Sequence, residues 1–224
     1  MFWRRDELAY LHNAVLVVGG RGRASGLGRG GCWEPSSLDP RAALEVSLDF
    51  NSSSIAVSAH VASVAQPLLK SLRRSLDTAL YAAALRAGGL LCHLGEPLTH
   101  YREHGGPRSS ASGLHGLRGL EEWAGAYSAV LRDYEADYKA ALALAPRVSG
   151  AQVIRHHLLR VRLELALLRG LGGHALSPGD YVALLRSAAL GLRLRKAHWA
   201  SAVAWPLTLT LRKPLIKALR RGPP

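Results

Sequence analysis

The sequence predicts an α/β front half, a mixed sheet packed with helices, followed by a mainly α-helical back half. Three observations point there. Short β-type runs, Ala14–Val18, Leu44–Val57 and Leu90–Leu94, all fall before residue 112, and helix-period segments separate them, as a mixed α/β unit requires. Beyond that point apolar residues recur with helical period through Leu117–Leu144, Ala151–Leu171 and Pro178–Lys196. Charge divides the chain as well: residues 1–150 carry 16 Lys/Arg against 14 Asp/Glu, whereas residues 151–224 carry 13 against 2. Two parts are therefore expected, residues 1–112 and a basic helical region 113–224.

In chain order, residues 3–12 (WRRDELAYLH) read as a short surface helix and Ala14–Val18 as a strand of aliphatic and β-branched residues. Residues 19–40 are rich in Gly, Ser and Pro without periodicity and read as a loop. Leu44–Val57 alternates apolar and polar residues and reads as one or two strands, bent at Asn51–Ser54. Val61–Leu72 and Asp77–Gly88 carry helical spacing, the second stopped by Gly88-Gly89. Leu90–Leu94 is a short strand, Gly95-Glu96-Pro97 a turn, and Leu98–Arg102 extended. Breaks at Pro146–Gly150 and Gly172–Pro178 separate the three helices of the back half.

The last piece, His198–Arg221, holds Trp199, Trp205, Pro206 and Pro214, and the stretch Ala197–Leu211 contains no Lys, Arg, Asp or Glu. That stretch is shorter than the roughly 20 residues of a spanning helix. An apolar body with two Trp and flanking basic residues suits a helix lying in a membrane interface over residues 197–221. Docking on its own domain is the other reading.

At 224 residues and 48% apolar content the chain is too hydrophobic for a disordered protein. Two cysteines exclude a disulfide framework, and no CxxC pair suggests a zinc site. Cys32 and Cys92 are expected to be reduced thiols, a single bridge being the alternative. The opening MFWRRDELAYLHN places charges within its first seven residues and lacks an apolar signal core. A cytoplasmic protein beginning at Met1 is expected, peripheral on the inner face of the cell membrane where the basic region meets anionic lipid. A net charge of +13 calls for an anionic counterpart: phospholipid, nucleic acid or an acidic partner.

Local motifs narrow the chemistry less. Gly26-x-Gly28-x-x-Gly31 matches a dinucleotide fingerprint, yet no strand directly precedes it and no helix directly follows. His100-Tyr101-Arg102-Glu103-His104 fits an inverted zinc-protease pattern, but Pro97 upstream and Gly105-Gly106-Pro107 downstream leave too few residues for the helix it needs. As a strand, the same segment puts His100, Arg102 and His104 on one side. His156 and His157 are adjacent on a helix and diverge by about 100°, so they share no ligand and are expected on a solvated face. No GxSxG, P-loop lysine motif or DxD pair occurs.

Three segments occur in order: Phe50–Val57 (FNSSSIAV), Ser75–Leu85 (SLDTALYAAAL) and Gly95–His104 (GEPLTHYREH). Together they resemble the second half of family 2 glycosyltransferases, particularly archaeal ones, across residues 2–112. In that family an Asn/Ser-rich strand end precedes an acidic residue opening a helix. The domain then closes on a PL-x-x-YR-x-H segment followed by small polar residues, here Ser109–Ser112. The resemblance implies the C-terminal half of a GT-A-type domain. It implies that Asp77 is the catalytic base, taking the proton of the acceptor hydroxyl in an inverting displacement at the anomeric carbon. It implies further that Asn51 and Ser52 line the cleft, that Tyr101 and Arg102 bind substrate, Arg102 at a phosphate oxygen, and that His104 lies near the metal and diphosphate. The residues alone leave simpler roles open. Asp77 suits the dipole of the helix it opens, and Arg102 suits a surface ion pair.

The family's sugar-nucleotide half, with the acidic motif that holds Mg²⁺ or Mn²⁺ against the donor diphosphate, would precede Phe2. Leu76 also stands where the family places a second carboxylate before the base. A divalent metal is thus expected in the active assembly, and none held by this chain alone. A late start codon, a separate chain supplying the first half, and a truncated remnant inactive alone are the three accounts. The implied donor is a sugar nucleotide or lipid-phosphate sugar, and the implied acceptor a glycan or lipid-linked molecule. The reading of a different class is a non-enzymatic helical protein whose basic region binds anionic membrane or nucleic acid. Against nucleic acid, the aromatics are not interleaved with the basic residues.

Overall fold

The computed structural model of the protein describes residues 8–18, 23–25, 30–49, 52–102, 120–171, 178, 179, 182, 185 and 189. Its elements run β1 (Leu8–Val18), β2 (Arg23–Ser25), β3 (Gly31–Trp33), α1 (Pro40–Glu45), a 3-10 turn (Ser52–Ser54), β4 (Ile55–Val57), α2 (Ala59–Leu69), α3 (Leu76–Ala87), β5 (Leu90–Arg102), α4 (Leu120–Leu144) and α5 (Ala151–Leu171). The chain divides into two compact units, Met1–Glu103 with Ala136–His157, and His104–Glu135 with Leu158–Pro224. An α/β class for the first unit is therefore correct.

Its sheet has five strands in the order β2-β1-β5-β3, with β4 also on β1. The central β1–β5 pair is parallel and the other pairs are antiparallel. A parallel pair needs a long crossover, which α1, α2 and α3 supply. The register sets His12 opposite His93 and Leu16 opposite His100. It breaks where Asn13 faces Leu94 but Ala14 faces Pro97, so Gly95 and Glu96 bulge out of β5. That bulge is what lets Pro97 lie within a strand.

Tyr10, Leu38, Leu48, Val61, Tyr81, Leu91 and Ile154 are fully buried in one core. The Tyr10 and Tyr81 rings meet edge-on at 6.0 Å. Their hydroxyls donate to the carbonyls of Leu48 and Gly150 at 2.6 and 3.0 Å. Residues Ala141, Ala151, Val153 and Ile154 of α4 and α5 belong to this same core. The approach at Gly150 is close: a Cβ there would lie 2.6 Å from Leu85 Cδ2 and 3.2 Å from the Tyr81 hydroxyl. Only glycine fits. In the second unit, Tyr127 donates to Glu164 at 2.7 Å and Arg162 pairs with Glu135 at 3.0 Å. Trp123, Leu131, Leu163 and Ala166 are buried there.

Several expected elements shift. Leu8–His12 is strand, not helix, because β1 pairs on one side with β4 and on the other with β5 over those residues. Two short strands, β2 and β3, lie within the Gly-rich segment read as a loop. Among the described residues of Leu44–Val57, α1 ends at Glu45, a turn covers residues 46–49, and only Ile55–Val57 is strand. Asp39 caps α1 by accepting from the Arg41 amide at 3.0 Å, and Pro40 opens it. Of the expected third helix, the described residues 178, 179, 182, 185 and 189 are helical. The interface segment 197–221 lies outside the described residues. Among the described residues, no helix is long and apolar enough to cross a membrane.

The cysteines correct another expectation. In the β3–β5 register Cys32 stands opposite Cys92, their Cα atoms 4.0 Å apart, and the two form a disulfide rather than staying reduced. The bridge spans 60 residues of sequence and ties a three-residue strand to the sheet. Reduction, or Cys32→Ser, is expected to lower stability by about 2–4 kcal/mol through the freed loop. Urea melts with and without reductant check this; coincident midpoints would contradict it.

Candidate functional site

Asp77 is the second residue of α3, and its Oδ1 accepts from the Thr78 amide at 3.0 Å. Its carboxylate is half-buried and within electrostatic reach of Tyr10, whose hydroxyl is raised well above its ordinary range by burial first, then by Asp49, Tyr81 and Asp77. Ser52 begins the 3-10 turn before β4 and is exposed. The next residue, Ser53, offers its carbonyl to the Thr99 hydroxyl of β5 at 3.4 Å, and Asn13 Nδ2 donates to the same hydroxyl at 3.0 Å. The Ser52 turn is thereby joined to β1 and to the second half of β5. Tyr101 and Arg102 end β5, with their backbones in register with Val17 and Val18. Asn51 and His104 lie outside the described residues.

Three polar constellations escaped the sequence reading. The first centres on Asp137 of α4, a carboxylate 2% exposed. Its oxygens accept from the amide of Arg73 at 3.2 Å each, of Arg74 at 2.7 Å and of Ser75 at 2.9 Å. Three consecutive amides converging on one anion-like group form a backbone nest, and this one immediately precedes α3. Ser75, the N-cap, makes no side-chain cap bond, and its buried hydroxyl has no partner among the described residues.

The second is an ion pair, Asp49 to His157 Nε2 at 3.0 Å. Burial pushes the Asp49 carboxyl up, but the His157 charge and hydrogen bond, aided by the carboxylate's own backbone bond and His156, hold it below its ordinary value. His157 lies against Tyr138 with ring centroids 5.7 Å apart, and His156 is buried. The histidine pair is therefore not on a solvated face; α5 turns it toward the core of the first unit. A period-3.6 pattern marks which residues of a helix face inward only when those residues are apolar.

The third is His12 with His93, both almost fully buried, Nδ1 to Nδ1 at 2.9 Å. Their ring planes lie within 26° and the centroids 5.0 Å apart, close to an in-line approach of the two nitrogens. One ring must donate and the other accept. Two isolated histidines 81 residues apart carry no local signal of this contact.

Among the described residues, no three His, Cys, Asp or Glu side chains come together to hold a metal ion. Comparison of the chain with protein-family models, curated proteins and solved structures finds no match.

Proposed function

We propose that the first unit is the acceptor-side half of a GT-A-type glycosyltransferase, with Asp77 as the base that deprotonates the acceptor hydroxyl. The observation that carries the reading is the placement of Asp77. It stands half-exposed at the opening of α3, which packs on β1 and β4 directly after the Ser52–Ser54 turn. The next element, β5, touches that turn through Thr99 and ends in Tyr101-Arg102. A carboxylate there receives the proton as the new glycosidic bond forms, while Arg102 meets a phosphate oxygen of the donor.

A divalent ion would supply positive charge at the departing phosphate. Among the described residues no three such ligands come together; by the resemblance, carboxylates of the family's sugar-nucleotide half would hold it, with His104 nearby. A lipid-linked acceptor fits a peripheral place on the inner membrane face, with the basic region 151–224 toward anionic headgroups. The Cys32–Cys92 bridge suits such a cytoplasmic place where the cytosol sustains disulfides, as in hyperthermophiles.

The test joins the chain to the product of the reading frame upstream of Met1 and measures transfer from radiolabelled UDP-, GDP- and polyprenyl-phosphate sugars to a membrane lipid extract. Asp77→Asn is expected to lower transfer about 100-fold or more, the usual contribution of a general base. Wild-type transfer by D77N, or no transfer from any donor, would overturn the reading. Salt-sensitive binding of DNA in place of transfer would favour the non-enzymatic alternative.

A further inference from the structure

We infer that Asp137, on a helix of the C-terminal region, is a positioning residue that sets the location of the Asp77 carboxylate; the inference rests on the reading of Asp77 as the base.

The chain of contacts is short. Asp137 holds the amides of Arg73, Arg74 and Ser75 within 2.7–3.2 Å. Leu76 follows as the first residue of α3 and Asp77 as the second. An N-cap side chain ordinarily fixes a helix start by accepting from amides of the first turn. Ser75 does not do this, and its hydroxyl has no partner among the described residues. The entry into α3 is instead held from outside, by a carboxylate 62 residues further along the chain. Within α3, the Ala79 amide bonds the Ser75 carbonyl at 3.2 Å and the Thr78 amide bonds Asp77 Oδ1 at 3.0 Å. The first bond ties the first turn to the backbone that Asp137 grips, and the second holds the Asp77 carboxylate against that turn.

Residues 136–157 share a compact unit with the sheet, and this grip is one of the contacts between them. The helical region is part of the site's support. A displacement of about 1 Å in a catalytic group lowers rates by up to about 100-fold. Asparagine at 137 keeps the side-chain volume but has one acceptor oxygen for three donors, and it turns an N–H₂ toward the amides.

The experiment is a double-mutant cycle on the assembled enzyme, reading sugar transfer under single-turnover conditions. Asp137→Asn is expected to lower the rate of the chemical step about tenfold or more, with acceptor KM within about twofold and the acid limb of the pH profile moved. In the D77N background the same change should lower the residual rate no further, because a positioning residue acts only through the group it positions. An equal loss in both backgrounds, or no loss in either, overturns the inference while leaving the Asp77 reading intact. Unreduced transfer by D77N overturns both. Arg73→Pro, which deletes one donor and keeps Asp137, repeats the cycle should D137N melt below the assay temperature. If that variant also fails to fold, Asp137 is purely structural and the inference is overturned.

Discussion

A chain ended at Ser112 is expected to lose the cooperative fold of the sheet-bearing unit. The reason lies in what residues 136–157 contribute to it. Ala141, Ala151, Val153 and Ile154 are within 1% of complete burial in the core that also holds Tyr10, Tyr81 and Leu91. Losing several such side chains forfeits about 1.5–3 kcal/mol for each large one. The cut also strands polar groups. Tyr81 loses the Gly150 carbonyl, Asp49 loses His157, and the amides of residues 73–75 lose Asp137. Each group left buried without its partner carries about 1–3 kcal/mol more. A whole domain is stable by only about 5–15 kcal/mol, so the loss is as large as the whole of it. Thermal melts followed by circular dichroism check this: residues 1–112 should show no cooperative transition, and residues 1–160 should recover one. A sharp melt of the shorter piece near that of the full chain would show the region after 112 to be dispensable.

This dependence was hidden in the sequence for a definite reason. The composition changes near residue 112, and the helical period of α4 and α5 is plain, so their existence was legible. What period alone does not reveal is which turns of a helix face which body. Asp137, Gly150 and His157 look like ordinary surface residues until the sheet is assembled beside them. The same holds for β1. Its first residues, Leu8–His12, lie in a segment whose charges mimic a helix turn, and pairing on both edges decides otherwise. Asp39-Pro40 opens α1 with an N-cap acid followed by Pro, a helix-start pattern that the Gly-, Ser- and Pro-rich segment before it masks as loop. At the candidate site, the helix opened by Asp77 and the extended segment to Arg102 were both readable, because each depends on local pattern. The support beneath them was not, because the Asp137 contact joins residues more than 60 positions apart.

Replacing Asp49 is expected to have the second large effect, and its dependence on pH identifies the cause. The Asp49 carboxylate is 3% exposed and pairs with His157 Nε2 at 3.0 Å. Removing one member of a buried pair typically costs 3–5 kcal/mol; with His157 23% exposed, Asp49→Ala should cost about 3 kcal/mol. Asp49→Asn keeps the shape and should cost about 2 kcal/mol at neutral pH. In the folded protein the carboxyl titrates below its ordinary value, because the His157 charge and hydrogen bonds outweigh the opposing effect of burial. In the unfolded chain it titrates near pH 3.9. Between those two values the unfolded state binds more protons, so stability falls as the pH falls. The contribution is fully present above the unfolded value and lost as the pH drops through the folded one. Wild type and D49N should therefore differ most above the unfolded value and converge as the pH falls through the lowered folded one. Denaturant melts across that range measure the gap. A gap that stays constant down to the acid end would mean that the residue matters for its shape and hydrogen bonds and not for its charge.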